Sequence, residues 1–337
     1  MINFITDFKN FIKIKKEEKV KKYCFFIENK HSLKYLHPYI IKKKINKIVI
    51  VSFERLEDIR DEEYFILKTL FFQTLFFVIQ KFPFLYSTTP DLDTSTFYKS
   101  IFKKTKYIYF QHSPASLTHI YKDNSFINFD AVQAINKFQS EEIKKINQVY
   151  KKKIKCIKSP YLFLEKYKNN FSASNVKKKV LIAPTWSTDF YQLNLHQKIF
   201  DLLKKEKINY VFRPHPMSVK KKELDLEEIK KLKIDLDNEK QINFNLYSDL
   251  ITDWSGIFFE FAIIKKKLPI LINNKQKVRN TNLNIYSDWQ PIEKYARNKI
   301  AHSIPVNKIE NIVEIINKNE SISEREIIET FYKEYFY

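Results

Sequence analysis

The chain has 337 residues, 44% of them hydrophobic, and a formal net charge of +21, so it is long enough for two domains of ordinary size. Its basic residues are nearly all lysines in short runs that do not alternate with aromatic residues, which favours a solvated surface over a nucleic-acid-binding one. The single glycine excludes both the GxGxxG dinucleotide fingerprint and the P-loop.

The segment 1–20 lacks a long apolar core and a small-residue cleavage site, so we expect no signal peptide and a cytoplasmic protein. A solvated lysine surface is the better interpretation, and the alternative is an anionic membrane surface as a further partner, with the protein peripheral on the inner face of the cell membrane. Cys24 and Cys156 lie in apolar, strand-like runs and predict buried thiols in a reducing compartment. No Cys/His grouping has zinc spacing, so we predict no metal site.

Short apolar runs in the first half alternate with amphipathic segments, a pattern typical of parallel sheets covered by helices. The predicted strands are 23–28, 47–53, 84–89, 106–111, 131–135 and 153–158. The most apolar stretch, 65–84, is interrupted by polar residues, so it lacks the roughly 20 uninterrupted apolar residues that a membrane span needs. It predicts a helix buried in the core, and the alternative is a helix lying in the membrane interface.

The polar segment 167–179 predicts a linker between two α/β domains, 1–166 and 180–337. The second half again has strand patterns, at 180–186, 209–216, 249–254 and 269–273. Helical patterns lie at 195–207 and 219–233, and a helical tail begins near Asn307. The fold class predicted is α/β, with two Rossmann-like domains whose mainly parallel sheets face each other across a cleft. Such sheets bind ligands at the carboxyl ends of their strands.

Two histidines lie at the ends of predicted strands, where an α/β protein places its chemistry. His112 lies in QHSP and could act as a general base, although a histidine that is simply hydrogen-bonded in a loop explains one such residue better. His215 lies in FRPHP between two prolines that fix its backbone, and Arg213 can form paired hydrogen bonds to a phosphate. Ligand contact and packing are about equally supported for His215.

The remaining motifs are APTW and TDWSG. Thr185 in APTW offers a hydroxyl and a backbone N–H, while Trp186 can simply close a core. In TDWSG, Asp253 and Ser255 can cap a helix whose N-terminus would bind an anion, and Gly256 would admit a phosphate to that backbone. The alternative interpretation of the same residues is an ordinary helix cap, with a glycine that allows close packing of the helix on a strand. Asp91 and Asp93 have a DxD spacing, which a turn at Pro90 explains better than a metal site.

In this order, IAPTW, FRPHP and LITDWSGIFFEFAIIKKKLPI resemble the CDP-glycerol glycerophosphotransferase family of teichoic-acid-type primases and polymerases. The similarity is strong over 180–272 and weaker before it, where QHSP stands for the family's tryptophan-histidine-glycine motif. The resemblance implies a GT-B fold with the acceptor on the 1–166 side and the donor bound by 180–337. It implies no cofactor.

The same resemblance implies the roles of individual residues. His112 would deprotonate the acceptor hydroxyl, and His215 would contact the donor pyrophosphate. The other donor-binding residues would be Thr185, Arg213, Thr252, Asp253, Ser255, Gly256 and Arg279. An arginine near the donor is expected, and the sequence leaves both Arg279 and Arg297 open.

The leading hypothesis is therefore a transferase that moves glycerol phosphate, or a related polyol phosphate, from a CDP-activated donor to a surface-glycan or lipid-linked acceptor and releases CMP. The alternative is a GT-B glycosyltransferase that uses a nucleotide-sugar in capsule or lipopolysaccharide synthesis. A basic binding protein for nucleic acid or membrane ranks last because it leaves the histidines at the strand ends unexplained, and we expect no specific nucleic-acid partner.

Overall fold

The computed structural model describes residues 2–28, 30–42, 44, 48–55, 64–93, 97–164, 179–186, 188–231, 236, 242–318 and 321–337. The chain divides into two compact units, Met1–Phe163 with Tyr337, and Leu164–Phe336. The described residues of each unit form one parallel sheet, so the predicted fold class of two α/β units with mainly parallel sheets is confirmed. The predicted linker 167–179 lies outside the described residues except for Lys179, which begins a strand.

The sheet of the first unit has seven strands in its described residues, in the order β3-β2-β1-β4-β5-β6-β7. All neighbours pair in parallel. The central strands are apolar and buried because helices cover a parallel sheet on both faces. The strands are β1 Tyr23–Ile27, β2 Ile48–Ser52, β3 Tyr64–Ile66, β4 Phe84–Ser87, β5 Lys106–Tyr109, β6 Ala131–Ala134 and β7 Lys155–Lys158.

The described helices of the first unit are α1 Ile2–Glu17, α2 Lys30–Lys42, α3 Leu70–Ile79 and α4 Lys137–Val149. The prediction of one helix over 65–84 is wrong at both ends, since β3 occupies its start and β4 begins at its end. The helix that remains has ten residues and buries Phe72, Phe76 and Phe77. The ends of the helix are set by the pairing of β3 and β4 with neighbouring strands. The sequence did not reveal this, because aromatic residues are common in strands as well as in buried helices.

The second unit has a five-stranded parallel sheet in its described residues, in the order β12-β11-β10-β8-β9. The strands are β8 Lys179–Ile182, β9 Asn209–Phe212, β10 Asp249–Thr252, β11 Ile270–Asn273 and β12 His302–Pro305. The described helices are α5 Leu195–Lys205, α6 Pro216–Lys220, α7 Leu226–Lys231, α8 Ile257–Lys265, α9 Ile292–Arg297, α10 Asn311–Asn317 and α11 Ile322–Tyr335. The core on one side contains Ile182, Phe200, Phe212, Ile251 and Ile272.

Two further expectations need correction. The helical pattern at 219–233 forms two short helices, α6 and α7, with a turn between them in which Lys222 has a positive φ of 57°. Cys24 is buried in β1, as predicted, and burial raises the pKa of its thiol. Cys156 is only partly buried, and its Sγ lies 3.3 Å from the Ser140 hydroxyl.

Candidate active site

The carboxyl ends of four strands in the second unit carry the residues of the candidate donor site. Thr185 follows β8, His215 follows β9, Asp253 follows β10 and Lys277 follows β11. These strands are parallel and adjacent in the order β11-β10-β8-β9, so their following loops meet at one edge of the sheet. The loops are joined by side-chain hydrogen bonds that involve several of the predicted residues.

Asp253 is the buried anchor of this edge. Its Oδ1 accepts a hydrogen bond from the Thr185 backbone N–H at 2.7 Å, and its Oδ2 accepts one from the Thr188 hydroxyl at 3.0 Å. The Asn274 side-chain amide is 3.4 Å from the same Oδ2. Burial raises the pKa of the Asp253 carboxyl, while these three donors oppose the rise. The carboxylate therefore holds the loops after β8, β10 and β11 together.

The expectation that Asp253 caps the following helix is wrong, because its carboxylate makes these contacts instead. The helix α8 begins after Gly256, and Ser255 is the side chain near its first N–H, at 3.5 Å from Ile257. Gly256 has φ −62° and ψ −12°, a conformation open to any residue. The backbone conformation therefore does not require glycine here. What glycine contributes at this position is the lack of a side chain.

Thr252 and Arg297 make contacts that support the loops. The Thr252 hydroxyl donates to the Ala183 carbonyl at 2.6 Å, and the residue is fully buried. The buried Arg297 guanidinium donates to Asn273 Oδ1 at 2.7 Å, to the Ile272 carbonyl at 2.7 Å and to the Asp253 carbonyl at 3.0 Å. Burial lowers the pKa of Arg297 to about 10, and the nearby Asp253 carboxylate opposes that shift.

Three cationic side chains surround the Trp186 ring. Lys221 Nζ lies 4.3 Å from the ring centroid, Lys277 Nζ lies 4.4 Å from it, and the Arg279 guanidinium carbon lies 5.1 Å from it. The His215 ring is also adjacent, at 6.1 Å between centroids. An aromatic face stabilises nearby cations electrostatically. The indole thus lies among several positive charges, which is the charge pattern that an anionic ligand requires.

Lys277 is the most unusual of these cations because it is 7% exposed. Its Nζ donates to the Thr185 hydroxyl at 3.1 Å. Burial lowers its pKa to about 8, with Arg279 lowering it further and the Asp253 carboxylate raising it. A buried ammonium with a lowered pKa gains its full charge most readily when an anion binds beside it.

His215 is held as a neutral hydrogen-bond donor. Its Nδ1 accepts the Met217 backbone N–H at 3.1 Å, so the proton of the neutral ring resides on Nε2. Burial, with the positive charges of Lys277 and Arg213, lowers its pKa to about 3. The ring is therefore uncharged at neutral pH and offers an Nε2–H group. The Arg213 backbone N–H continues the sheet by donating to the Ile182 carbonyl at 2.8 Å.

His112 in the first unit differs from His215, because its Nδ1 faces a tyrosine hydroxyl and not a backbone N–H. It follows β5, and its Nδ1 lies 3.3 Å from the Tyr109 hydroxyl, which in turn donates to Tyr121 at 3.1 Å. Burial raises the pKa of Tyr109 well above its usual value, so this phenol remains protonated. With its hydrogen donated to Tyr121, the Tyr109 oxygen is an acceptor for an Nδ1–H of His112. This contact fits the tautomer whose lone pair lies on Nε2, as a general base requires.

The loop that follows His112 is fixed by a buried carboxylate, Glu142 of α4. One oxygen of Glu142 accepts from the Ser116 hydroxyl and, at 3.0 Å, from the Thr118 hydroxyl; the other accepts from the Leu117 N–H at 2.7 Å. His119 Nδ1 lies 3.0 Å from the Thr118 hydroxyl. Glu142 therefore holds the loop against α4 through these hydrogen bonds. Nothing in the sequence pattern around Glu142 indicates this role.

Sequence reasoning missed Lys277 and gave Trp186 only a packing role. Lys277 lies in NNKQKVRN among other lysines, so its burial could not be read from the letters. The proximity of Trp186 to Arg279 was likewise invisible, because the two are far apart in sequence. Of the two arginines left open, Arg297 is bound to backbone carbonyls, whereas Arg279 is partly exposed beside Trp186.

Asp91 and Asp93 both accept hydrogen bonds from other residues of the first unit. Asp91 accepts from the Ser125 hydroxyl at 2.6 Å, and Asp93 accepts from the Lys99 N–H at 2.7 Å. Both have positive φ, in line with the predicted turn. Among the described residues, no group of three or more His, Cys, Asp or Glu side chains is placed to hold a metal ion.

Known proteins of one family are similar to this chain. The sequence profile of the family described as CDP-glycerol:poly(glycerophosphate) glycerophosphotransferase matches residues 164–335. The teichoic acid poly(glycerol phosphate) polymerase of Bacillus spizizenii is 27% identical over 180 residues, which cover 51% of this chain and 44% of that protein. The chain thus matches less than half the length of this curated relative.

Two solved structures show the fold. The wall teichoic acid polymerase TagF has a TM-score of 0.57 and 14% identity, over 98% of this chain and 93% of the other. The UDP-GlcNAc 2-epimerase of Neisseria meningitidis has a TM-score of 0.55 and 12% identity, over 92% and 99%. The GT-B-like fold class is therefore confirmed. Within the described residues, no helix has the length and apolar character needed to cross a membrane.

Proposed function

The chain belongs to the CDP-glycerol:poly(glycerophosphate) glycerophosphotransferase family, and we propose that it transfers glycerol phosphate, or a related polyol phosphate, from a CDP-activated donor. The acceptor is a surface glycan or a lipid-linked molecule, and CMP is released. The observation that carries this proposal is the cationic edge of the second sheet, where Lys277, Arg279 and neutral His215 surround Trp186.

The donor pyrophosphate binds at this edge. Arg279, Arg213 and Lys277 supply positive charge, and His215 donates from Nε2 to a phosphoryl oxygen. The first N–H groups of α8 add donors and a positive dipole after Ser255. Gly256 has no side chain that would separate the phosphate from that backbone.

Thr185, Thr252 and Asp253 act mainly as positioning residues in this proposal. The hydroxyl of Thr252 and the carboxylate of Asp253 already form hydrogen bonds with protein groups, which supports that role. In addition, a carboxylate would repel a phosphate. Thr185 contacts both Asp253 and Lys277, so it links the anchor to the buried cation. Arg297 holds the same loops through backbone carbonyls.

The reaction is an attack by the acceptor hydroxyl oxygen on the distal phosphorus of the donor. A new P–O bond forms, the bond to the bridging oxygen breaks, and the electron pair leaves with CMP. His112 accepts the hydroxyl proton on Nε2, the tautomer that its contact with Tyr109 supports. Charge that develops on the phosphoryl oxygens and on the leaving CMP is stabilised by Lys277, Arg279 and the His215 N–H.

The lipid-linked acceptor, a cytoplasmic location and association with the inner face of the cell membrane belong to the same proposal. The +21 formal net charge supports the membrane association, because anionic headgroups attract lysines.

A thermal-shift screen followed by product analysis tests the proposal. The protein is incubated with CDP-glycerol, CDP-ribitol, UDP-N-acetylglucosamine and GDP-mannose, and the stabilising donor is then presented with a glycerol-phosphate-primed acceptor. We expect stabilisation by a CDP-polyol and release of CMP. Stabilisation by a UDP- or GDP-sugar alone, with transfer of the sugar, would replace the proposal with a GT-B glycosyltransferase.

A further inference from the structure

A row of buried polar side chains runs along β6 and the start of α4. Gln133, Asn136, Gln139 and Glu142 stand at every third position, and each is at most 3% exposed. A spacing of three places the last three side chains on one side of α4. We call these four residues the polar row. Because a buried polar group is costly unless it is hydrogen-bonded, the partners of the polar row show what it holds.

The partners of the polar row all lie in the segment 111–118, which contains His112. Glu142 binds the end of this segment through the contacts described above. The other bonds join Gln133 to the Gln111 N–H at 3.2 Å, Asn136 to the Pro114 carbonyl at 2.9 Å, and Gln139 to the Ser113 and Ala115 carbonyls at 2.9 Å each. The buried backbone groups of an irregular segment thus obtain partners from β6 and α4.

The polar row differs from the apolar packing of a helix such as α5. The buried residues of α5 are all apolar: Leu195, Ile199, Phe200 and Leu203. Apolar burial has no preferred direction, so it tolerates small shifts of the packed groups. A hydrogen bond weakens steeply when its angle departs from linearity. The polar row therefore fixes the backbone of 111–118 more narrowly than apolar contacts would.

His112 extends from this fixed backbone. Its N–H donates to Gln111 Oε1 at 3.0 Å, and its carbonyl accepts from the Tyr161 hydroxyl at 3.3 Å. The side chain is partly exposed, with Nδ1 3.3 Å from the Tyr109 hydroxyl. Tyr109 is fully buried in β5, so it cannot follow a displaced histidine. The contact that sets the His112 tautomer therefore depends on where the segment 111–118 holds the backbone.

We propose that Gln139 and Glu142 are positioning residues for the transfer reaction, because they hold the segment 111–118 so that His112 presents the lone pair of Nε2 to the acceptor hydroxyl. This inference rests on the proposed function, in which His112 is the base. Both side chains are fully buried, so they act through the segment and not on the acceptor. A misplacement of about 1 Å at reacting groups costs about a hundredfold in rate.

The first test compares two buried carboxylates of the first unit. Glu142→Ala should slow single-turnover transfer from CDP-glycerol about a hundredfold and leave the dissociation constant for CDP-glycerol unchanged. Asp7→Ala is the matched control, because Asp7 is also fully buried and accepts hydrogen bonds from the Lys68 N–H at 2.9 Å and the Thr69 N–H at 2.6 Å. Both variants should lose stability in urea unfolding, but Asp7→Ala should keep the wild-type rate per folded molecule.

The conservative variant Glu142→Gln should restore most of the rate. Its amide oxygen can accept from the Leu117 N–H, and its NH₂ group can donate to the Ser116 and Thr118 hydroxyls. The same hydrogen bonds then hold the segment without a negative charge. A rate in Glu142→Gln as low as in Glu142→Ala would contradict a positioning role.

A second pair of variants tests Gln139. Gln139→Met keeps the length of the side chain and removes both donors to the segment, so it should slow transfer without weakening CDP-glycerol binding. Gln80→Met is the control, since Gln80 is equally buried and its Nε2 donates to the Thr105 and Tyr107 hydroxyls at 3.1 and 2.9 Å. Equal rates in these two variants would count against the proposal.

Nitrogen-15 NMR of histidine-labelled protein tests the positioning of His112 without any transfer. The His112 signals are assigned by their loss in His112→Ala. We expect the Nδ1–H tautomer in the wild type and in Asp7→Ala, and a mixture of tautomers in Glu142→Ala. Identical His112 signals in all three proteins would overturn the proposal. A wild type that transfers nothing, with a tautomer change confined to Glu142→Ala, would contradict the proposed function and support the positioning of His112.

Discussion

Replacing Lys277 by methionine separates donor binding from folding more cleanly than any other single change. Methionine keeps the apolar stem and removes the ammonium that contacts Thr185 and faces Trp186. If the ammonium binds a donor phosphate, its removal forfeits a charge-assisted hydrogen bond of about 1.5–3 kcal/mol. The dissociation constant for CDP-glycerol should then rise about 10- to 150-fold.

The stability of the folded protein should not fall in parallel. Burial disfavours the charged form of Lys277, which is why its pKa falls to about 8. Removing a buried ammonium that is costly to desolvate should leave the free energy of unfolding unchanged or raise it. Urea unfolding measures this, and Lys275→Met, at an exposed lysine two residues earlier, is the matched control.

The pH dependence of binding provides an independent signature of the same residue. With a pKa of about 8, Lys277 is mostly charged at pH 7 and mostly neutral at pH 9. CDP-glycerol affinity in the wild type should therefore fall by about tenfold between these pH values, beyond any change seen in Lys277→Met. Isothermal titration calorimetry gives both values. Equal losses of binding and stability in Lys277→Met, or the same pH dependence in both proteins, would refute the assignment.

Four further substitutions, at three positions, follow from the site. Arg297→Gln should lower the free energy of unfolding by about 2–4 kcal/mol in urea titrations, since it leaves buried carbonyls without donors. Arg279→Gln should leave unfolding unchanged and weaken CDP-glycerol binding in calorimetry; the reverse pattern would exchange the roles of the two arginines. Gly256→Ala should change stability by no more than about 0.5 kcal/mol because the backbone there is helical. Gly256→Val should weaken donor binding more than folding, and equal loss of both would favour a packing role.

The strands and the fold class could be predicted because apolar runs and polar strand ends leave a local signal. Buried β1 and β10 are examples, since their letters alone indicate a covered parallel sheet. The edge strands β3 and β12 were missed. Strand β3 has three residues, and β12 contains a histidine, a serine and a proline, so the neighbouring strand and not composition determines their pairing.

The candidate site was only partly accessible to sequence reasoning. Thr185, His215 and Asp253 follow strands and could be named from position. Their detailed roles depend on contacts over about 70 residues of chain, such as the hydrogen bond from Thr185 to Asp253. Lys277 could not be predicted, because burial of one lysine among 60 basic residues is a property of packing.

The most direct test of the central claim is single-turnover transfer from CDP-glycerol that is labelled in its glycerol moiety. With the wild-type protein and a glycerol-phosphate-primed acceptor, we expect label in the acceptor and CMP in equal amounts. His112→Ala should retain CDP-glycerol binding and lose transfer, whereas His215→Ala should lose binding as well. Undiminished transfer by His112→Ala, or label released as free glycerol phosphate with no acceptor product in the wild type, would contradict the account.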